Sequence, residues 1–355
     1  MTEALRNERV RRAVRRIVDE EANAPALDQI PGAMLLSTLL AQPDAPVSYR
    51  LDRLWPAGGR VLLYAQRKAG KTTLRNELVR ALADDEPFLG QFGVQTFEGT
   101  IGVIDTEMAP AQTRKWMRDT GIRHPEAVAV WNMRGNLGAL NIFDDAARSR
   151  WAHVLQEAGV RVLILDCVRP VLDAFGLDEN RDLGRFCVAF DALLAEAGIT
   201  EGCAIHHAGH DGTRPRGDTR LIDWADAVWR LSAEKVDDPF AVRMFSAFGR
   251  DVAEPERRVE FDAASRRPTL GATRRERALT LACDLVLETV RESADDLSGR
   301  QLESSAAKLA DERGVEVTRT ALREAIAHLE VTGMLHKEHG SRRAFSYRIA
   351  AEDGS

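Results

Sequence analysis

Disulfide chemistry has little to work with in this chain: 355 residues carry four cysteines, Cys167, Cys187, Cys203 and Cys283, with no C-x-x-C spacing among them. That argues against a disulfide framework or a zinc ribbon and suits a reducing compartment. Long apolar runs are missing too: none approaches the roughly 18 residues of a membrane span. The arginine-rich start lacks the apolar segment of a secretory signal. The expected location is the cytoplasm, with no membrane partner. A basic excess is the third absence. Formal net charge is −6, so nucleic-acid contact would have to come from local patches. What is present, 44% hydrophobic and 29% charged residues, suffices for one large α/β domain and a smaller second one.

The most informative stretch is Ala65, Gln66, Arg67, Lys68, Ala69, Gly70, Lys71 and Thr72, followed by Thr73. The apolar run Val61 to Tyr64 precedes it, and a helical pattern from Leu74 to Leu82 follows. The order is strand, loop, helix, and the loop fits G-x-x-x-x-G-K-[ST] with alanine in first place. Gly70 lets backbone N–H groups approach phosphates, which the helix N-terminus also favours. Lys71 is expected to reach the β- and γ-phosphates of ATP, and the Thr72 hydroxyl to ligate Mg²⁺. Residues 65 to 73 are thus the candidate nucleotide cradle.

Two further strands end in acids. Val162 to Asp166 is continuously apolar up to its carboxylate, which is where a phosphate-loop protein places the acid that holds Mg²⁺. Ile101 to Glu107 follows the loop's helix, and an acid there can face the γ-phosphate as general base. Glu107 is the preferred candidate, with Asp105 competing. Strands alternate with helical patterns from residue 61 to 207, which predicts a mainly parallel sheet covered on both faces. Antiparallel strands, Ala241 to Phe248 and Arg257 to Phe261, are expected to extend one edge. Cys203, His206, His207 and His210 carry zinc-ligand types, but neighbouring strand residues point to opposite faces, which disfavours a shared site.

The rest of the chain frames this core. Met1 to Ala24 holds Arg6, Arg9, Arg11, Arg12, Arg15 and Arg16 among loosely helical apolar positions and reads as a basic arm. Prolines then mark a linker with a short helix within Ala33 to Leu40. The expected organisation is an arm and linker over 1–48, an ATPase domain over 49–263, a hinge from Ala264 to Gly271, and a helical module over 272–350. In that module a capping box at Ser298 and Gln301 opens the second helix. A third helix carries Leu322, Ala325, Ile326 and Leu329 on one face and Arg319 and Arg323 on the other. Met334 to Lys337 and Phe345 to Ile349 read as a two-stranded wing with Arg342 and Arg343 at its tip. This is the pattern of a winged helix-turn-helix, with Lys308, Arg319, Arg323, Arg342 and Arg343 as candidate DNA contacts. From Ala272 to Ser355 there are 13 Lys plus Arg and 15 Asp plus Glu, net −2, while Gly333 to Ala350 alone is net +3. Docking of a protein partner stays open beside docking of duplex DNA.

A candidate catalytic Glu on the strand after the loop's helix resembles the RecA/DnaB superfamily. Asp166-Cys-Val-Arg-Pro170, Gly176-Leu-Asp-Glu-Asn180, Ile205-His-His207, Arg216-Gly-Asp-Thr-Arg220 and Asp226-Ala-Val-Trp-Arg-Leu231 resemble the RepA-type ATPases of plasmids, phages and mobile elements, whose best-understood members are hexameric ring helicases. The resemblance covers about residues 50 to 262 and implies a RecA-like P-loop core, with His207 as γ-phosphate sensor. It also implies an arginine acting in trans from a neighbouring subunit, Arg250 first, with Arg243 and Arg216 behind it. Ala65 departs from the usual glycine, and Phe245 to Arg250 lacks the usual Lys and Arg pair. Single-strand contacts are expected after the fourth and fifth strands, from Arg214, Arg216 and Arg220 in the second loop. The first loop, Arg169 to Arg185, has no basic excess. The resemblance favours a DNA helicase that hydrolyses ATP with Mg²⁺ as a homo-oligomer, a hexamer by family precedent. A DNA-binding ATP switch that does not unwind is the second reading, and an assembly or sensing ATPase with a protein partner is the third.

Overall fold

The computed structural model describes residues 32–43, 46–209, 214–235, 238, 240–262, 265, 267–293, 296–339 and 345–349. The basic arm and the wing tip with Arg342 and Arg343 lie outside them, as does His210. The chain divides between Pro46 and Val47 into two units. In the first, helix α1 (Leu36–Leu40) falls inside the stretch expected from the sequence and has no buried residue.

The second unit is built on a nine-stranded sheet. Six of its strands are parallel: β3 (Arg60–Ala65), β4 (Thr100–Asp105), β5 (Val128–Asn132), β6 (Val160–Asp166), β7 (Glu201–His207) and β8 (Ala227–Ala233). They lie in the order β8, β3, β7, β6, β4, β5. Beyond β8, the strands β9 (Arg243–Gly249), β10 (Ala253–Asp262) and β11 (Arg267–Thr273) continue antiparallel. A two-stranded ribbon, β1 (Tyr49–Leu51) with β2 (Trp55–Pro56), stands at the entry. The supposed hinge is β11, because residues 267–273 pair with β10 and extend the sheet by one more strand.

Alternate residues of β3 enter two cores, Val61, Leu63 and Ala65 on one face and Leu62 and Tyr64 on the other. That is the period of two expected of a central strand buried on both sides. Helix α2 (Lys71–Asp84) covers the first face through Leu74, Leu78 and Val79. The first core also contains Trp229, stacked on Phe88 at 5.4 Å between ring centroids and edge-on to Trp55 and Phe245 at 6.0 Å. Helices α3 (Pro110–Thr120), α4 (Asp145–Glu157), α5 (Val168–Ala174), α6 (Leu183–Ala197) and α7 (Arg220–Trp224) connect the strands. Of these, α6 packs Phe186, Phe190, Leu193 and Leu194 into the second core. Helix α5 occupies the start of the segment read from sequence as a loop.

After β11 come three helices with a core of their own, α8 (Arg274–Glu292), α9 (Gly299–Glu312) and α10 (Arg319–Val331). Capping boxes open α8 at Thr273 with Glu276 and α9 at Ser298 with Gln301. The Thr318 side chain accepts from Ala321 N at the start of α10. Leu322, Ala325, Ile326 and Leu329 fill that core with Leu302 and Val286, as their helical spacing requires. The small sheet beside them has three strands where two were expected. Strand β12 (Leu297–Ser298) pairs with β14 (Phe345–Ile349), and β14 pairs with β13 (Leu335–His339). A residue pair just before α9 therefore closes the sheet.

Candidate active site

The phosphate loop leaves β3 at Ala65 and enters α2 at Lys71. Gly70 caps that helix at φ +102°, a left-handed conformation that side-chain-bearing residues avoid. The loop is fastened on both flanks: Ala208 N donates to Ala65 O at 2.8 Å, and the Gln66 side chain accepts from Ala233 N at 2.8 Å. Arg243 Nε donates to Ala69 O at 3.0 Å. Thr72 and Thr73 follow Lys71 in the first turn of α2 and are partly buried.

Around the Lys71 ammonium three of the candidate residues meet. Its Nζ is 3.4 Å from Glu107 Oε2, 3.5 Å from His207 Nδ1 and 3.9 Å from Asp166 Oδ1. His207 Nε2 is in turn 3.1 Å from Glu107 Oε1. An ionised carboxylate only accepts, so the tautomer with hydrogen on Nε2 satisfies both histidine contacts, taking Lys71 as donor to Nδ1. The His207 hydrogen bond is the main cause that lowers the Glu107 pKa to about 2; burial opposes it, and Lys71 assists. For Lys71 itself burial works downward, yet the neighbouring acids prevail and the pKa is raised.

Asp105 and Glu107 part company here. Asp105 is buried, takes Arg75 Nη1 at 2.7 Å, and accepts from the Glu107 and Met108 amides at 3.0 and 2.8 Å. Every one of those contacts is structural. Glu107, beyond that turn, keeps a side chain 35% exposed and faces Lys71. Strand β4 lies directly beside β6, and the Thr106 hydroxyl ties the two ends together, accepting from Cys167 N at 2.7 Å and donating to Cys167 O at 3.0 Å. Asp166 thereby comes to rest next to Asp105, with Arg75 Nη1 3.1 Å from its Oδ2. Burial is the main influence on Asp166 and raises its pKa against the pull of Arg75 and Lys71. Its Oδ1 is buried without a hydrogen-bond partner, a hard oxygen ligand left open beside Lys71 and suited to a divalent cation such as Mg²⁺.

Sequence reasoning passed over Arg75, which is fully buried between two acids. Its signal is a charge one position after Leu74, at the start of a helix buried nearly all round. Also missed is a cavity of about 540 Å³ beside Gly70 and Thr73, lined by Trp116, Leu231, Val259, Phe261 and Pro268, with Arg243 as its one charged side chain. It is mainly apolar and aromatic, with the dimensions and chemistry of a nucleobase slot. Residues from α2, α3, β8, β9, β10 and β11 make it, so no single motif carries it.

A family model for an AAA domain matches residues 28–213, more than half of the chain. The chain belongs to the AAA domain family. Comparison with curated proteins gives no match. Membership suggests an ATPase of the P-loop class and implies nucleotide binding, usually with Mg²⁺. The mixed α/β architecture and its mostly parallel central sheet are consistent with a RecA-like core. Among the described residues, no helix is long and apolar enough to cross a membrane.

The other candidate arginines of this AAA protein differ in how near the loop they lie. Gly249 pairs with Ala227 at the start of β8, whereas Arg243 pairs with Ala233 at its end, the end that shares an edge with the phosphate loop. Arg250 is therefore at the opposite edge of the sheet, exposed, with Nη1 3.3 Å from Asp226 Oδ1. Arg243 grips the phosphate loop of its own chain. Arg216 makes an ion pair with Glu179, Arg220 lies 3.3 Å from Asp218 Oδ2, and Arg214 is exposed. On α10, Arg323 is held by Glu303 at 2.7 and 3.1 Å, and Lys308 on α9 pairs with Glu312 at 3.5 Å. His206 is buried with its pKa lowered to about 3, chiefly by burial, and its Nε2 is 3.0 Å from Arg216 O.

Proposed function

We propose that the protein hydrolyses ATP in DNA metabolism, as a RepA-type ring helicase that moves along single-stranded DNA in a homo-oligomer, hexameric by family precedent. Residues 49–263 form the RecA-like motor in this reading, and residues 272–350 a winged helix-turn-helix that engages duplex DNA or a protein. The observation that carries the reading is the Lys71, His207 and Glu107 relay at the mouth of the phosphate loop.

Residues Ala65 to Thr73 would hold the triphosphate, and Thr72 with Asp166 would hold Mg²⁺, which when bound offsets charge on the transferring phosphoryl group. The unpartnered Oδ1 of Asp166 supports that assignment. Glu107 orients the attacking water as hydrogen-bond acceptor. Without nucleotide its low pKa makes it a weak base. Once the triphosphate claims Lys71, Glu107 loses a cation and gains anionic neighbours, and both changes raise its pKa toward the range useful for proton abstraction. His207 Nε2 keeps the carboxylate in place meanwhile. Arg250, held by Asp226 at the far edge of the sheet, is the arginine assigned in this reading to a neighbouring subunit's nucleotide.

A second reading is an ATP-dependent DNA-binding switch that does not unwind, such as an initiator, a loader or a mobile-element regulator. Glu179 favours it, because this acid neutralises arginines of both strand-end segments and weakens their case as a single-strand track. ATP turnover measured with and without single-stranded and duplex DNA, at low and moderate salt, separates the two. Single-strand stimulation that fades with salt supports the motor. Unstimulated turnover with duplex binding retained supports the switch, and absence of turnover under all conditions rejects both.

A further inference from the structure

The pairing of β4 with β6 ends where Asp105 lies opposite Asp166. Asp166 is thus held by the sheet itself. Glu107 is not, because it follows the last residue of β4 by two positions, where the chain turns toward α3. Its side chain is 35% exposed and reaches Lys71 and His207 from that turn. A side chain so loosely packed takes its place from its backbone.

Thr106 carries the attachment one residue past the end of the sheet. Its N–H donates to Asp166 O at 2.7 Å, and its hydroxyl accepts from Cys167 N at 2.7 Å while donating to Cys167 O at 3.0 Å. A hydroxyl has one hydrogen and two lone pairs, so this single side chain satisfies both backbone groups of Cys167. The contact is dry: Thr106 is 2% exposed and Cys167 is fully buried. No solvent is at hand to replace a lost partner. On its other side, Glu107 N donates to Asp105 Oδ1 at 3.0 Å. Arg75 joins Asp105 and Asp166 through their side chains, whereas Thr106 joins the main chains that carry Glu107 and Asp166.

We propose that Thr106 is a positioning residue for ATP hydrolysis, which holds the Glu107 carboxylate in register with Asp166 so that both address the same phosphoryl group. Thr106 touches neither nucleotide nor metal in this arrangement and acts through the backbone of its neighbour. Its role rests on those given above to Glu107 and Asp166. A misplacement of reacting groups by about 1 Å can cost on the order of 100-fold in rate, so release of the clamp shows in turnover rather than in binding.

The test compares Thr106→Val, Thr106→Ser and Glu107→Gln in the full chain, with turnover counted per bound fluorescent ATP analogue so that only folded sites enter. Valine keeps the shape of threonine and removes the hydroxyl; serine keeps the hydroxyl. Thr106→Val is expected to lower kcat about tenfold or more with KM for ATP within about threefold of wild type, and Thr106→Ser to keep kcat within about threefold. A clamp that served stability alone would lower the urea unfolding midpoint of Thr106→Val and leave kcat per site unchanged, which overturns the proposal. So does a serine variant as slow as the valine one, because the hydroxyl is then not what matters. If Glu107→Gln is slow and Thr106→Val is not, the role of Thr106 alone falls. If Glu107→Gln hydrolyses ATP as wild type, the reading of Glu107 falls and the role of Thr106 with it. Should Thr106→Val fail to fold, Thr106→Cys takes its place under the same limits, its thiol being a weak hydrogen-bond partner.

Discussion

The imidazole of His207 and the carboxylate of Glu107 meet at 3.1 Å, Nε2 to Oε1, one hundred positions apart in the chain. This contact is the main reason the Glu107 pKa is lowered to about 2. A depressed carboxylate keeps its charge as pH falls until its own low pKa is reached, so between pH 6 and 4 Glu107 stays ionised in the wild type. In His207→Ala the main lowering contact is removed, and the pKa returns toward the ordinary Glu value of about 4.3. The pH profile of kcat/KM should then acquire an acid limb between about pH 4 and 5 that the wild type lacks. Identical acid limbs in the two proteins would reject the role given to His207.

Arg75 and Glu107 should separate stability from chemistry. Replacing Arg75 by Met leaves Asp105 and Asp166 buried without their shared cation, which costs about 3–5 kcal/mol on the scale of broken buried ion pairs. Glu107→Gln, on a partly exposed side chain, gives up ion pairs with Lys71 and His207 and should cost clearly less, about 1 kcal/mol. Urea unfolding of the two variants measures both. Equal midpoints for Arg75→Met and wild type would contradict the buried network.

Trp116 is expected to act on binding alone. Its indole lines the apolar cavity beside Gly70, away from Lys71, Glu107 and His207. Trp116→Ala removes aromatic surface from the base slot and should raise KM for ATP about tenfold with kcat little changed, the effect of losing roughly 1.4 kcal/mol of uniform binding. A fall in kcat at unchanged KM would place the base elsewhere.

On α10, Arg319 and Arg323 are the proposed duplex contacts, and Glu303 already neutralises Arg323. Each arginine replaced by alanine should lower the slope of log affinity against log salt by about one if it meets a phosphate. Glu303→Gln should tighten duplex binding. Salt slopes that stay at the wild-type value in both alanine variants would assign α10 to a protein partner.

Much of this arrangement is legible in the sequence because it is local. The glycine-containing loop between an apolar strand and a helix locates Lys71 and Thr72, and apolar strands ending in acids locate Glu107 and Asp166. The capping residues Ser298 and Gln301 mark α9 for the same reason. What escapes is made by distant segments. Strand β11 reads as a hinge because Arg266, Arg267 and Pro268 break the apolar pattern, and only pairing with β10 makes it a strand. The base slot draws on residues from six elements, and the Glu179 ion pair joins segments some forty residues apart, positions 179 and 216. Local charge counts recorded the acids near Arg169 without revealing which arginines they hold.

The most direct measurement is ATP turnover together with ATP-analogue binding for wild type, Lys71→Ala and Glu107→Gln. The account expects Lys71→Ala to lose tight binding, and Glu107→Gln to bind as wild type while turning over about 100-fold or more slowly, within the range of a lost general base. Turnover by Glu107→Gln within about threefold of wild type would contradict the assignment of Glu107 as the residue that orients the attacking water.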